Sequence, residues 1–140
     1  MNNADTMVIY YVISFKPKAG INIARGKENG GSIILDWNEL PVKKTDKGAS
    51  RQVFEKPTTA FSKLSIHVTD LNAGIASHVP HSHRNEEIML LLKGNGELQV
   101  GQTFKQSNKN DIMYLEANVL HAFKNTGTEQ CSYYAIQWSY

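Results

Sequence analysis

The chain has 140 residues, enough for one domain with a single buried core and too few for two ordinary ones. With 41% hydrophobic and 20% charged residues, its composition is that of a globular protein and not of a disordered one. The formal net charge is +2 and no basic block exceeds Lys43-Lys44, so the electrostatic footprint of a nucleic-acid binder is missing and the expected partners are small molecules or another copy of the chain.

Residues 1–31 read as an N-terminal arm and linker, and residues 32–140 as the main domain. The arm opens with the longest apolar run, residues 7–15, far below the roughly 20 residues that a membrane-spanning helix needs. Asp5 and the absence of Lys or Arg ahead of the run make it a poor leader peptide, which favours a cytoplasmic protein. We expect a β-strand here, suited to joining the sheet of a neighbouring subunit in a homodimer. The turn residues Lys16-Pro17-Lys18-Ala19-Gly20 and a polar, glycine-rich stretch follow. Residues 32–37 read as a short strand, and residues 38–58, with Pro41, Gly48, Pro57 and many charges, as an irregular segment wrapping the domain.

From Phe61 onward the pattern is β. Apolar and polar residues alternate through Leu64-Ser65-Ile66-His67-Val68, the mark of a half-buried strand. Residues 70–74 form a turn. Residues 87–93 are apolar on both faces, so one face must line the interior and the other must meet a second layer or a subunit. Gly94-Asn95-Gly96 signals a hairpin. Further strands are expected at 97–100, around Phe104, and at 112–115, 122–125 and 132–138. No stretch sustains a period of 3.6, and so many short strands argue an all-β protein built as a double-sheet barrel. The single cysteine, Cys131, precludes an intrachain disulfide and reads as a small core residue of the last strand.

Four side chains carry chemistry. In His81-Ser82-His83-Arg84-Asn85-Glu86-Glu87 the odd-numbered residues share one strand face, so two imidazoles and a carboxylate point the same way. His121 lies beyond the hairpin on another expected strand. Three imidazoles and a carboxylate suit a divalent transition metal. The plain alternative, strand histidines that are ordinary surface residues, is outweighed because the residues also fit a known pattern.

These residues resemble the cupin superfamily. Its first motif runs glycine, five residues, His-x-His, three or four residues, Glu, six residues, glycine, and the stretch from His81 to Gly94 matches it throughout. The leading glycine is displaced: six residues separate Gly74 from His81 where the motif has five, which implies an insertion or bulge. In the second motif Asp111, His121 and Asn125 keep register, while Asn110, Glu116 and Asn118 stand where the family has glycine, proline and glycine. Asn118 can still adopt a positive φ, which preserves the turn. The resemblance spans roughly residues 60–138 and specifies a cupin jelly roll.

A bound M²⁺ held by His81, His83, Glu87 and His121 would keep a net positive charge and, if octahedral, two open positions for water or for a substrate with adjacent oxygens. Mn or Fe is favoured, with Zn, Ni and Cu also compatible. His67 and Tyr114 are the candidates for catalytic proton transfer, and Arg51, Asn125 and Gln137 for substrate binding, Arg51 as a bidentate partner of a carboxylate. His78 is expected beside the ligands or at the rim, and Tyr134 joins Gln137 on the final strand. The function expected is a small metal-dependent enzyme (oxygenase, isomerase or hydrolase) acting on a small polar metabolite. The alternative is a non-catalytic binder of a sugar or carboxylate; a storage protein has no need of four metal ligands.

Overall fold

The computed structural model describes residue 5, residues 7–17 and residues 20–140. Most of the residues on which the leader reading rests, and Lys18 and Ala19 of the expected turn, lie outside the described residues. The strands are β1 (Lys43–Thr45), β2 (Gly48–Lys56), β3 (Lys63–Leu71), β4 (Glu86–Lys93), β5 (Asn95–Val100), β6 (Thr103–Asn108), β7 (Ile112–Leu115), β8 (His121–Asn125) and β9 (Cys131–Ser139). They form two antiparallel sheets, one of order β1-β2-β3-β9-β4-β7 and one of order β6-β5-β8, the jelly-roll barrel expected from the pattern.

Between the sheets lies an inner core that includes Leu71, Met89, Leu91, Leu98, Leu115, Phe123 and Tyr133. It follows from strand alternation: β3, β4 and β9 each send their odd-numbered residues inward. Gly96 on β5 has no alternative, because a Cβ there would meet the Phe123 ring from β8, its neighbour in the sheet. Burying a ring such as Phe123 contributes about 1.5–3 kcal/mol. The even-numbered residues of the same strands form a second cluster on the outer face, where Phe61, Ile136 and Trp138 pack with Leu64, Ile66, Ile88 and Tyr134. Both faces of β4 are thereby covered, as its composition required.

The N-terminal part differs from the sequence expectation. Residues 7–15 form no strand in the isolated chain. Phe15 instead docks on the outer cluster, 4.8 Å from Trp138 and 5.2 Å from Phe61, while Met7 to Ile13 stay exposed. The stretch read as linker contains a one-and-a-half-turn helix, α1 (Ile23–Glu28), capped by Asn22, whose Oδ1 accepts from the Arg25 N–H. It is too short to register as a helical period. Residues 32–36 carry no strand, and a 3₁₀ turn follows at Trp37–Glu39. The segment read as irregular holds β1 and β2. Its prolines, Pro41 and Pro57, flank the strands without interrupting them, so they cost no sheet hydrogen bond. Among the described residues no helix is long and apolar enough to cross a membrane.

Candidate metal centre

Backbone pairing brings the two histidine segments together. His81 and His121 face each other across an antiparallel bridge and exchange both hydrogen bonds, His81 N–H to His121 O at 3.1 Å and His121 N–H to His81 O at 2.8 Å. Directly opposed residues send their side chains to the same face, so the two imidazoles lie side by side. The Asn118 N–H donates to His83 O at 2.7 Å and ties the following turn to the same segment. That turn needs positive φ, and Asn118 supplies it at 62°; Asn110, the other asparagine standing in place of a glycine, has φ 74°. The asparagines perform the backbone task of the glycines they replace.

The donor atoms of His81, His83 and His121 all lie within 4.8 Å of one another. Glu87 stands outside this group of three but beside it: its Oε2 is 3.2 Å from His83 Nε2 and 3.8 Å from His121 Nε2. Donors bound at about 2.1 Å to one ion stand roughly 3–3.5 Å apart, so small side-chain rotations suffice to close the set. Tautomers are fixed in the required sense. The Nδ1–H of His121 donates to Val119 O at 2.8 Å and that of His83 to Asn85 O at 2.9 Å, which leaves each Nε2 lone pair for the site. His121 Nε2 and His81 Nδ1 are buried and have no hydrogen-bond partner among the described residues. A lone pair on His83 Nε2 facing a carboxylate oxygen at 3.2 Å calls for a cation between them, a metal ion or a proton. Burial, reinforced by the His121 and His83 imidazoles, pushes the pKa of His81 down and keeps it neutral and able to coordinate. The residues present therefore fit a divalent metal.

Neighbours hold the carboxylate. Gln137 on β9, opposite Glu87 in the sheet, donates its Nε2–H to Glu87 Oε2 at 3.0 Å. Glu86 turns to the outer face, where Trp138 Nε1 and the Tyr114 hydroxyl donate to it at 3.1 and 2.9 Å. Alternation on β4 thus gives adjacent glutamates different environments.

The cluster opens into a cavity of about 360 Å³. His67, on the inner face of β3, lines it, and burial pushes its pKa down against the opposing pull of Glu87 and Glu55. Gln137 lines it as well. Three other expected site residues lie elsewhere. Tyr114 is exposed on the outer face of β7 and bonded to Glu86. Arg51 points outward, 4.5 Å from the Trp37 ring and 3.5 Å from Asp70. Asn125 is fully buried; its Nδ2 donates to Leu71 O and Glu129 O, and its Oδ1 accepts from the Gly127 N–H. Tyr134 belongs to the outer cluster.

His78 sits at the rim, its ring 4.0 Å from that of His81, with its pKa lowered chiefly by burial and then by His81. All five histidines of the chain consequently gather at this one site. Lys47, Ser50, Thr69 and Ser77 also line the cavity. Nothing in their local sequence marks them, since their role depends on which strand ends meet.

The cupin domain family model matches residues 67–137, just over half of the chain. Among solved structures, the cupin domain of Cnp3 from Schizosaccharomyces pombe is similar over 77% of this chain and 74% of its own, with a TM-score of 0.63 at 16% identity. An RmlC-like cupin from Shewanella frigidimarina is similar over 79% and 93%, with a TM-score of 0.65 at 12% identity. A structure described as a sugar phosphate isomerase of the cupin superfamily, from Silicibacter pomeroyi, is similar over 77% and 76%, with a TM-score of 0.64 at 14% identity. At these identities the likeness concerns the fold alone. No curated protein sequence matches the chain.

Proposed function

The chain belongs to the cupin family, and on that premise we propose that it is a small metal-dependent enzyme acting on a small polar metabolite. The observation that carries this reading is the set of buried, unpartnered imidazole nitrogens beside Glu87, at the wall of a cavity sized for a small molecule. His81, His83, Glu87 and His121 would hold a divalent transition metal, with Mn or Fe favoured and Zn, Ni or Cu compatible. Such an ion supplies Lewis acidity toward a substrate that offers it adjacent oxygens.

The chain's own residues do the rest. Gln137 orients the Glu87 carboxylate through its amide N–H. His67 is the proton carrier in this reading. It is kept neutral by burial and faces the cavity, so it can take a proton from a bound substrate at one position and return it at another. A neutral base in the cavity favours isomerisation or hydrolysis over oxygen insertion. A cytoplasmic location goes with this reading. A homodimer is proposed with it, on the exposed apolar residues Met7 to Ile13 and on Ile34, which is 100% exposed.

The test begins with elemental analysis of protein purified without an affinity tag. Stoichiometric metal is expected in the wild type and its loss in His81→Ala and His121→Ala. Retention of metal by both variants would refute the site. A metabolite screen run aerobically and anaerobically then separates the classes: turnover without oxygen, abolished in His67→Gln with metal content unchanged, supports proton-transfer chemistry. Saturable ligand stabilisation without turnover marks the binding module instead. Sedimentation showing only monomer at micromolar concentration would refute the dimer.

A further inference from the structure

The sequence offered Arg51 as the residue to receive a substrate carboxylate. Its guanidinium is engaged with Asp70 and stacks on Trp37, and Arg51 does not line the cavity. Lys47 is the one Lys or Arg among the described residues that line the cavity. It lies in the turn between β1 and β2, and its Nζ donates to Ser77 O at 2.9 Å, across the mouth. Ser77 is itself fixed to β8, its N–H and hydroxyl both donating to Phe123 O at 2.9 and 3.1 Å, two residues beyond His121. The ammonium is thereby held over the rim from the side that carries a metal ligand. An ammonium has three donors, and a single carbonyl occupies one of them. Nearby, Ser50 and Thr69 stand opposite each other in the β2–β3 register, and both line the cavity.

The charge balance points to an anionic guest. The acidic residues on the cavity wall are Asp46, Asp70 and Glu87. Asp70 is paired with Arg51, Asp46 and Lys47 cancel only as formal charges on the wall, and Glu87 would offset half of the charge of a divalent ion. With such an ion the site would therefore keep one net positive charge. A ligand that covers the ion but leaves Lys47 bonded to a carbonyl forgoes a charge-assisted hydrogen bond, the stronger kind.

We propose that Lys47 is the specificity-determining residue of this site: it receives an oxyanion, carboxylate or phosphate, of the same molecule whose adjacent oxygens would be drawn to the ion that His81, His83, Glu87 and His121 would hold. The substrate class is then a small chelating acid with a second anionic group. This rests on the metal-site reading above, and the test separates the two.

Three probes share an α-hydroxy acid head: glycolate has the head alone, malate adds a second carboxylate and 3-phosphoglycerate adds a phosphate. Each is titrated calorimetrically into manganese-loaded wild type, Lys47→Met and Lys47→Arg. In the wild type at least one longer probe should bind about 10- to 100-fold more tightly than glycolate, the worth of one charge-assisted hydrogen bond. The longer probe that shows the gain identifies the anion as carboxylate or phosphate. Lys47→Met should erase the gain and leave glycolate unchanged, and Lys47→Arg should keep most of it. If glycolate binds the wild type but neither longer probe binds more tightly, or if Lys47→Met weakens all three equally, the role given to Lys47 is wrong while the metal site stands. If the manganese-loaded wild type binds none of the three, including glycolate, the open-position reading falls and takes this inference with it. Because Lys47 is exposed and its side chain makes one hydrogen bond, its variants should melt within a few degrees of the wild type, which excludes misfolding as the cause.

Discussion

Replacing Asn125 with alanine removes a side chain that is 0% exposed and makes three hydrogen bonds: 2.8 Å to Leu71 O, 2.8 Å to Glu129 O and 2.9 Å from the Gly127 N–H. These bonds join the end of β3, the end of β8 and the turn leading into β9, all around the inner core. Each bond contributes about 1 kcal/mol net, and each buried group left without a partner costs about 1–3 kcal/mol. Water entering the space left by the amide recovers part of this, so a loss of about 3–5 kcal/mol is expected. For a domain of this length that corresponds to a fall in Tm of roughly 10–15 °C. Urea denaturation of the metal-free protein gives the free energy, and a metal titration at low temperature gives the site. The expected result is a large loss of stability with metal stoichiometry unchanged. A variant that melts within about 3 °C of the wild type but has lost affinity for a ligand would refute this account and return Asn125 to the substrate-binding role its sequence position suggested.

The remaining predictions concern other parts of the same frame. Tyr114→Phe removes one exposed hydrogen bond to Glu86 on the outer face, so metal content and turnover should match the wild type and stability should change by less than about 1 kcal/mol; a loss of turnover would place the hydroxyl in the reaction. His67, His78 and His81 all have pKa values pushed below 6.5, in each case chiefly by burial. The unfolded chain therefore takes up protons first as pH falls through 6.5, and the metal-free protein should lose stability from there down to the depressed folded values, with a nearly flat profile between neutrality and pH 8. Urea unfolding between pH 5 and 8 reads this directly, and a gain in stability on acidification would contradict it. The Cys131 thiol is fully buried and its pKa is pushed up to about 11, so a thiol reagent at pH 8 should label it only in denaturant. Rapid labelling of the native protein would show that the last strand opens.

Alternation along the chain settled much of this protein in advance. The inward set of β3, β4 and β9 follows from a period of two, a local property that neighbours in sequence carry by themselves. Two local readings ended otherwise: Gly94 closes no hairpin but carries the chain from one sheet to the other, since β4 pairs with β7 and β9 and β5 with β6 and β8, and residues 82–85 leave the strand, so His83 and Glu87 meet across a bend and not along one strand face. The resemblance to the second cupin motif also aligned His121 with them, and the antiparallel bridge to His81 brings the two segments together. Three things were not legible. The strand β2 hides among charges, since it borders a polar cavity and needs few apolar residues. The direction of Arg51 and Tyr114 depends on register: Arg51 pairs with Val68 and Tyr114 with Ile88, both outward positions that only the completed sheet defines. Asn125, offered by its motif position as a substrate contact, and Lys47, which nothing in its sequence marked, are both placed by distant segments. One is walled in by carbonyls from Leu71 and Glu129, and the other is held over the cavity by Ser77 from a distant segment. A side chain's period is written in its own strand, but what it touches is decided by chain segments that only folding brings to it.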